Sequence, residues 1–273
     1  MQVNKRFSGT VQTIVAHWPR FMLLYGGMVG ALLLMGVSAE RGWYSFVPLS
    51  TAALLLCAHF FAAALWSAHQ LYDRDGVRPH LVLFNMGHLQ PQDRFAVIDV
   101  GFRERPLDLS RRLTTGQIIV LDVYNPQWTT SAALARRRKQ RPHLPADPRL
   151  VWREGQFNLL PLPDNSVSAV LLCQTTAQFW QHGDRLTLLR EALRILTADG
   201  RLLFAEQARS QTNWLIFGPT ATNIPSDTYW RSLLKEAGFF VQQERDLNGH
   251  ILCLQAQIPT HLQAQQLQFE LDF

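Results

Sequence analysis

The stretch VIDVGFRERPLDL, residues 97–109, decides how the greater part of this chain reads. An apolar run leads into Asp99, Val100 and Gly101, as a buried strand does when it opens into a ligand-binding turn. Small residues would then let a ligand approach the backbone. The chain instead continues with Phe102, Arg103, Glu104, Arg105 and Pro106.

Outward from this turn, short apolar runs recur as FAVIDVG from 95, QIIVLDV from 117, VSAVLLC from 167 and RLLFAEQ from 201. Between the last two, DRLTLLREALRILTADG (184–200) carries leucine and isoleucine at helical spacing, with Gly200 as the expected stop. Strands alternating with helices predict an α/β fold, a mostly parallel sheet covered on both faces. Asn248-Gly249 between two alternating runs predicts a terminal antiparallel hairpin. In such a sheet ligands bind beyond the carboxyl ends of the strands, which here means from Gly101, Asp122, Cys173 and Glu206 onward. Gly101-x-Arg103-x-x-Pro106 does not match the GxGxxG of nicotinamide-dinucleotide sites.

The front of the chain differs. Residues 21–39, FMLLYGGMVGALLLMGVSA, and 46–68, FVPLSTAALLLCAHFFAAALWSA, carry no Asp, Glu, Lys or Arg. About 20 apolar residues of helix cross a bilayer core of about 30 Å, so both stretches qualify as spans. The ERGWYS connector (40–45) makes them a hairpin across residues 21–72, between a leading segment (1–20) and a domain at 73–258. A polar tail, 259–273, follows. Trp18, Trp43, Tyr44, Trp66 and Tyr72 lie where interfacial aromatics settle. Lys5, Arg6, Arg20, Arg74 and Arg78 flank the spans on one side against Arg41 on the other, which predicts both termini and the domain in the cytoplasm. Gly26 and Gly30 form a GxxxG that suits close helix packing, and no oligomeric state follows from it. His59, mid-span, reads best as a neutral residue hydrogen-bonded across the hairpin. Cys57, Cys173 and Cys253 show neither disulfide nor zinc spacing.

The domain resembles the class I S-adenosylmethionine-dependent methyltransferases, in the branch that includes quinone and small-molecule methylases, over residues 80–258. VIDVG matches the first strand and first glycine of that family's cofactor loop. IIVLDVYNPQ places Asp122 where the family has the acid that holds both ribose hydroxyls; a carboxylate can accept from two adjacent hydroxyls at once. GQFNLLPLPDNSVSAVLL, LREALRILTADGRLLFAE and YWRSLLKEAGF follow in the family's order. The resemblance implies a Rossmann-like seven-stranded sheet, S-adenosylmethionine as cofactor, and Asp99, Gly101, Arg103, Asp122, Gln156 and Phe157 as cofactor-binding positions. It departs from the family at Arg103 and Arg105, where the loop carries glycines, at Gln156-Phe157 in place of Asp-Ala, and at Ser168.

Two readings follow. An active enzyme would use Arg103 or Arg105 to hold the cofactor carboxylate, since a guanidinium fork donates two parallel hydrogen bonds. A degenerate one would be a membrane-tethered binding or scaffold module. On the acceptor side, CQTTAQFWQHGDR (173–185) offers Gln178, Trp180 and His182, with His182 as candidate base or as a plain loop residue. The insert 210–230 would cover the acceptor or simply pack. The cationic run Arg136, Arg137, Arg138, Lys139 and Arg141, in a chain of net charge +5, reads as an anionic-lipid contact beside the bilayer or as a solvated helix face. Without aromatic interleaving it does not suggest nucleic acid. The expectation is a two-pass membrane enzyme that methylates a quinone- or lipid-like small molecule, with no metal.

Overall fold

A computed structural model of the protein describes residues 7–73, 77–129, 131–139 and 147–259. Lys5, Arg6, Arg74, Arg141, His143 and the tail from residue 260 lie outside the described residues. The chain divides into two compact units, Met1–Arg78 with Gln211–Thr222, and Pro79–Ser210 with Asn223–Phe273. The second therefore starts a few residues later than the sequence suggests, and part of the 210–230 insert belongs to the first.

The first unit holds α1 (Ser8–Ala16), α2 (Trp18–Glu40) and α3 (Phe46–Tyr72). Of these, α2 and α3 are long and apolar enough to cross a membrane. Only 22% of the most apolar window of α2 and 6% of that of α3 is buried, unlike the core helices of a soluble protein. Leu23, Leu33, Leu49, Leu55 and Leu56 all stand exposed. Helix α1 is tied to the end of α3 through Asp73, which accepts from the Thr10 amide at 2.9 Å and the Thr10 hydroxyl at 2.6 Å.

The insert contributes a short helix, Gln211–Phe217, and a 3-10 turn, Gly218–Asn223. Arg20 of α2 donates to the Ile216 carbonyl at 3.0 Å, and its guanidinium lies 5.1 Å from the Phe217 ring centre. His59 Nε2 meets the Leu215 carbonyl at 3.1 Å. The expected partner across the hairpin is thus replaced by the insert, which presents a backbone acceptor to the imidazole.

The second unit is a seven-stranded sheet in the order β3-β2-β1-β4-β5-β7-β6. Its strands are β1 (Arg94–Asp99), β2 (Gln117–Asp122), β3 (Leu150–Glu154), β4 (Val167–Cys173), β5 (Leu196–Gln207), β6 (Phe240–Leu247) and β7 (Ile251–Gln257). The first five pair in parallel, and β7 runs antiparallel to both β5 and β6. The central strands are continuous apolar runs because both faces are covered. Helices α4 (Pro79–Met86), α5 (Glu104–Ser110), α6 (Ala132–Lys139), α7 (His182–Ile195) and, after the insert's α8 (Gln211–Phe217), α9 (Asp227–Glu236) complete the chain.

Helix α7 stops at Ile195, short of Gly200, because Leu196 already pairs with Val167 in the sheet. The 247–251 turn has Asn248 at φ 55° and Gly249 at φ 73°, as the Asn-Gly signal requires.

Trp230 of α9 is fully buried against Phe204, with ring centres 5.5 Å apart, and its indole N–H donates to the Gln207 carbonyl at 2.9 Å. Replacing it leaves both a cavity and an unpaired carbonyl. Trp230→Ala should destabilise the protein by about 3–5 kcal/mol, read as a lowered urea midpoint at unchanged slope.

Candidate functional site

The carboxyl ends of β1, β2, β4 and β5 gather the residues that the sequence singles out. Asp99 closes β1 with a buried carboxylate whose oxygens accept from the Gly101 amide at 2.9 Å and the Phe102 amide at 3.0 Å. Burial raises its pKa, and Arg105 nearby opposes that. Asp99 therefore shapes the loop. Gly101 sits at φ +121°, where a side chain would be strained.

Arg105, the second residue of α5, is buried and reaches across to β4. It donates to the Cys173 carbonyl and to Oε1 of Gln174, with its guanidinium 4.0 Å from the Phe102 ring centre. Arg103 turns elsewhere, toward the exposed ring of Trp152 on β3 at 5.2 Å. Its Nε is buried with no hydrogen-bond partner among the described residues. Of the two arginines expected to grip a carboxylate, Arg105 alone stands between the ends of β1 and β4.

Asp122 ends β2, and a second guanidinium covers it. Arg138 of α6 donates from Nη1 to Oδ1 at 2.8 Å and from Nη2 to Oδ2 at 2.9 Å. Nη1 also donates to the Val100 carbonyl at 2.8 Å, and the group lies 4.0 Å from the Tyr124 ring centre. The side chain crosses Gly101 so closely that a Cβ there would stand 2.7 Å from Arg138 Cγ. Arg137 lies 4.7 Å from the Phe102 ring centre and 3.9 Å from Glu104. Nothing in a run of like charges announces that one member turns inward onto an acid.

Phe157 is buried and meets Trp128 at 5.5 Å and Phe179 at 5.6 Å between ring centres, an aromatic wall beside the end of β2. Gln156 is exposed and pairs through its backbone with Leu159. Beyond the wall opens a cleft of about 390 Å³ lined by Gln127, Trp128, Trp180, Gln181 and Asp184. Trp180 is 80% exposed, so it is a surface ring and not core, whereas Phe179 is wholly buried. Asp184 keeps a buried Oδ2 with no hydrogen-bond partner among the described residues. An acid in the first turn of a helix is ordinary complement to the helix dipole, so the sequence did not mark it.

His182 does not join this cleft's lining. Its Nδ1 contacts the Tyr229 hydroxyl at 3.1 Å and its Nε2 the Glu236 carboxylate at 3.0 Å, both on α9. With both ring nitrogens engaged there, His182 ties α7 to α9 and is not placed as the base its loop suggests.

The sheet order, the glycine turn after β1 and the acid ending β2 are now in place, and residues 104–204 match the family model for a methyltransferase domain. With the sheet order, this match supports a class I S-adenosylmethionine-dependent methyltransferase fold for the second unit. Among solved structures, the fold is shared with a SAM-dependent methyltransferase from Aquifex aeolicus, 18% identical over 67% of this chain and 90% of that one, TM-score 0.51. It is shared equally with the 4+2 cyclase SpnF, 18% identical over 70% of this chain and 83% of that one, TM-score 0.52. The second shows that this architecture hosts more than one chemistry. No curated protein matches the chain.

At the positions where the resemblance implies the cofactor, Arg138 occupies both Asp122 and the surface of Gly101. The two parallel donors of Arg138 stand in for a ribose diol at Asp122, and the Phe157–Trp128 wall offers a face to adenine. Arg105 leaves a fixed positive charge at the inner end.

Glu206, at the end of β5, is buried and accepts from the Thr176 amide at 2.6 Å and the Ala177 amide at 3.2 Å, holding the loop after β4. Burial pushes its carboxyl up to about 7 from an ordinary 4.5. Between those values the unfolded chain has lost a proton that the folded domain keeps, so stability falls as pH rises through this window. Glu206→Gln should remove that slope. The variant and wild type should unfold alike near pH 4 and separate by about 3 kcal/mol, in the variant's favour, near pH 8 in urea titrations.

Proposed function

We propose that the protein is a membrane-anchored methyltransferase that moves a methyl group from S-adenosylmethionine to a hydrophobic, quinone- or lipid-like small molecule. The observation that carries this reading is the carboxylate of Asp122, which ends β2 beside Gly101 and accepts two parallel donors, here those of Arg138. When bound, the cofactor supplies an electrophilic methyl group on a sulfonium.

The chain's own residues do the rest. Asp122 accepts from the two ribose hydroxyls, and Gly101 lets the backbone come close. Phe157 and Trp128 pack on the adenine side, and Arg105 attracts the cofactor carboxylate. Methyl transfer asks for little more than alignment, so the acceptor's fit in the neighbouring cleft matters most. Trp128 and Trp180 offer aromatic faces to a flat apolar acceptor there, and Asp184 offers a carboxylate to a hydroxyl it carries.

The exposed apolar surface of α2 and α3 supports a two-span anchor. The excess of Lys and Arg outside the connector favours both termini in the cytoplasm. A single cysteine at Trp43, with the native cysteines replaced by serine, should react with an impermeant maleimide from the outer face of cells alone. Equal labelling from the inner face only would reverse the topology.

A second reading, a tethered binding module that has given up the cofactor, draws on the same two arginines. Calorimetric titration of S-adenosylmethionine into the full chain in detergent decides between them. Binding that weakens at least tenfold in Asp122→Ala, a loss of about 1.4 kcal/mol, supports the enzyme. Absence of binding by folded wild type and by folded Arg138→Gln favours the module.

A further inference from the structure

Helix α6 is held to the methyltransferase domain mainly by its charges. Leu134 is its one buried side chain among the described residues, while residues 136–139 are all cationic. Two of these face the cofactor site. Arg137 rests on Phe102 and Glu104, and Arg138 covers Asp122, Val100 and Gly101. A ribose cannot reach Asp122 while Arg138 stays, because both carboxylate oxygens are engaged and the side chain lies over the glycine.

We propose that α6 is an anionic-lipid docking surface whose engagement opens the cofactor site. Phospholipid headgroups compete with Asp122 and Glu104 for the cations of α6, and departure of Arg138 releases Asp122 to the ribose. The inference rests on the proposed cofactor and anchor. Charge complementarity supports the partner: four consecutive cations form a concentrated positive surface, and a covalent tether to a bilayer keeps headgroups at high local concentration. The Asp122 and Arg138 side chains are 13% and 17% exposed, so the pair lies at the rim within reach of solvent and a competing anion can approach the guanidinium. Exchange of one carboxylate for several phosphates leaves each guanidinium with charge-assisted partners throughout.

The test is calorimetric titration of S-adenosylmethionine into the full chain in nanodiscs of phosphatidylcholine alone, or of equal parts phosphatidylcholine and phosphatidylglycerol. Wild type should bind about tenfold more tightly in the anionic discs, and soluble glycerol phosphate added to neutral discs should not reproduce the gain. Arg138→Gln, checked for folding by circular dichroism, should bind tightly in both. Arg136→Ala/Lys139→Ala, which leaves Arg138 in place, should lose the lipid response.

Equal wild-type affinity in both discs, with tight binding by Arg138→Gln, would overturn the lipid partner. Equal affinity for wild type and Arg138→Gln in neutral discs would overturn the latch while leaving the cofactor reading intact. No binding by any folded variant would remove the cofactor reading itself.

Discussion

The carboxylate of Asp99 sits where a fully buried strand ends, and a charge there needs donors because water does not reach it. It takes them from the chain's own next turn, the amides of Gly101 and Phe102. Accepting from both forces the reversal at Gly101, in a backbone region that favours glycine. From that reversal the rest follows. Phe102 is directed into the core, α5 starts at Glu104, and Arg105 arrives opposite the end of β4. The same turn leaves the flat surface of Gly101 across which Arg138 lies.

Around this turn the domain has collected charge. Arg105 stands among two buried carboxylates, Asp99 and Glu206, and its positive charge eases the ionisation of both against the effect of burial. Arg138 neutralises the third acid, Asp122, at the rim. The inner arginine is enclosed and bonded to backbone, so it belongs to the architecture. The outer one is borne by a helix whose one buried side chain among the described residues is Leu134.

The central strands were legible because burial on both faces leaves an unbroken apolar run, and the terminal hairpin because Asn248-Gly249 meets a stringent backbone demand. Strand β3 was not singled out, since it lies at the edge and mixes Trp152, Arg153 and Glu154, all exposed. The end of α7 was misplaced because helical spacing continues past the point where strand pairing takes over. The places of Asp122 at the end of β2 and Gly101 after β1 were readable, for their neighbours in sequence fix them in space. Arg138, Asp184 and the partner of His59 were not. Arg138 and His59 depend on the reach of a side chain to a residue away in sequence, Leu215 lying 156 positions from His59, and Asp184 on a burial that its sequence does not show.

The short helix that follows β5 has a consequence for replacement of the front of the chain. Its backbone carbonyls at Leu215 and Ile216 are satisfied by His59 and Arg20, and Gly218 is glycine where the Phe60 ring would stand 2.7 Å from a Cβ. Exchange of the first 78 residues would strip the Leu215 and Ile216 carbonyls and the Phe217 ring of their partners His59 and Arg20. A sticky apolar loop would then interrupt the catalytic fold. Helices α2 and α3 and the insert are therefore fitted to one another residue against residue, although the insert lies far along the chain.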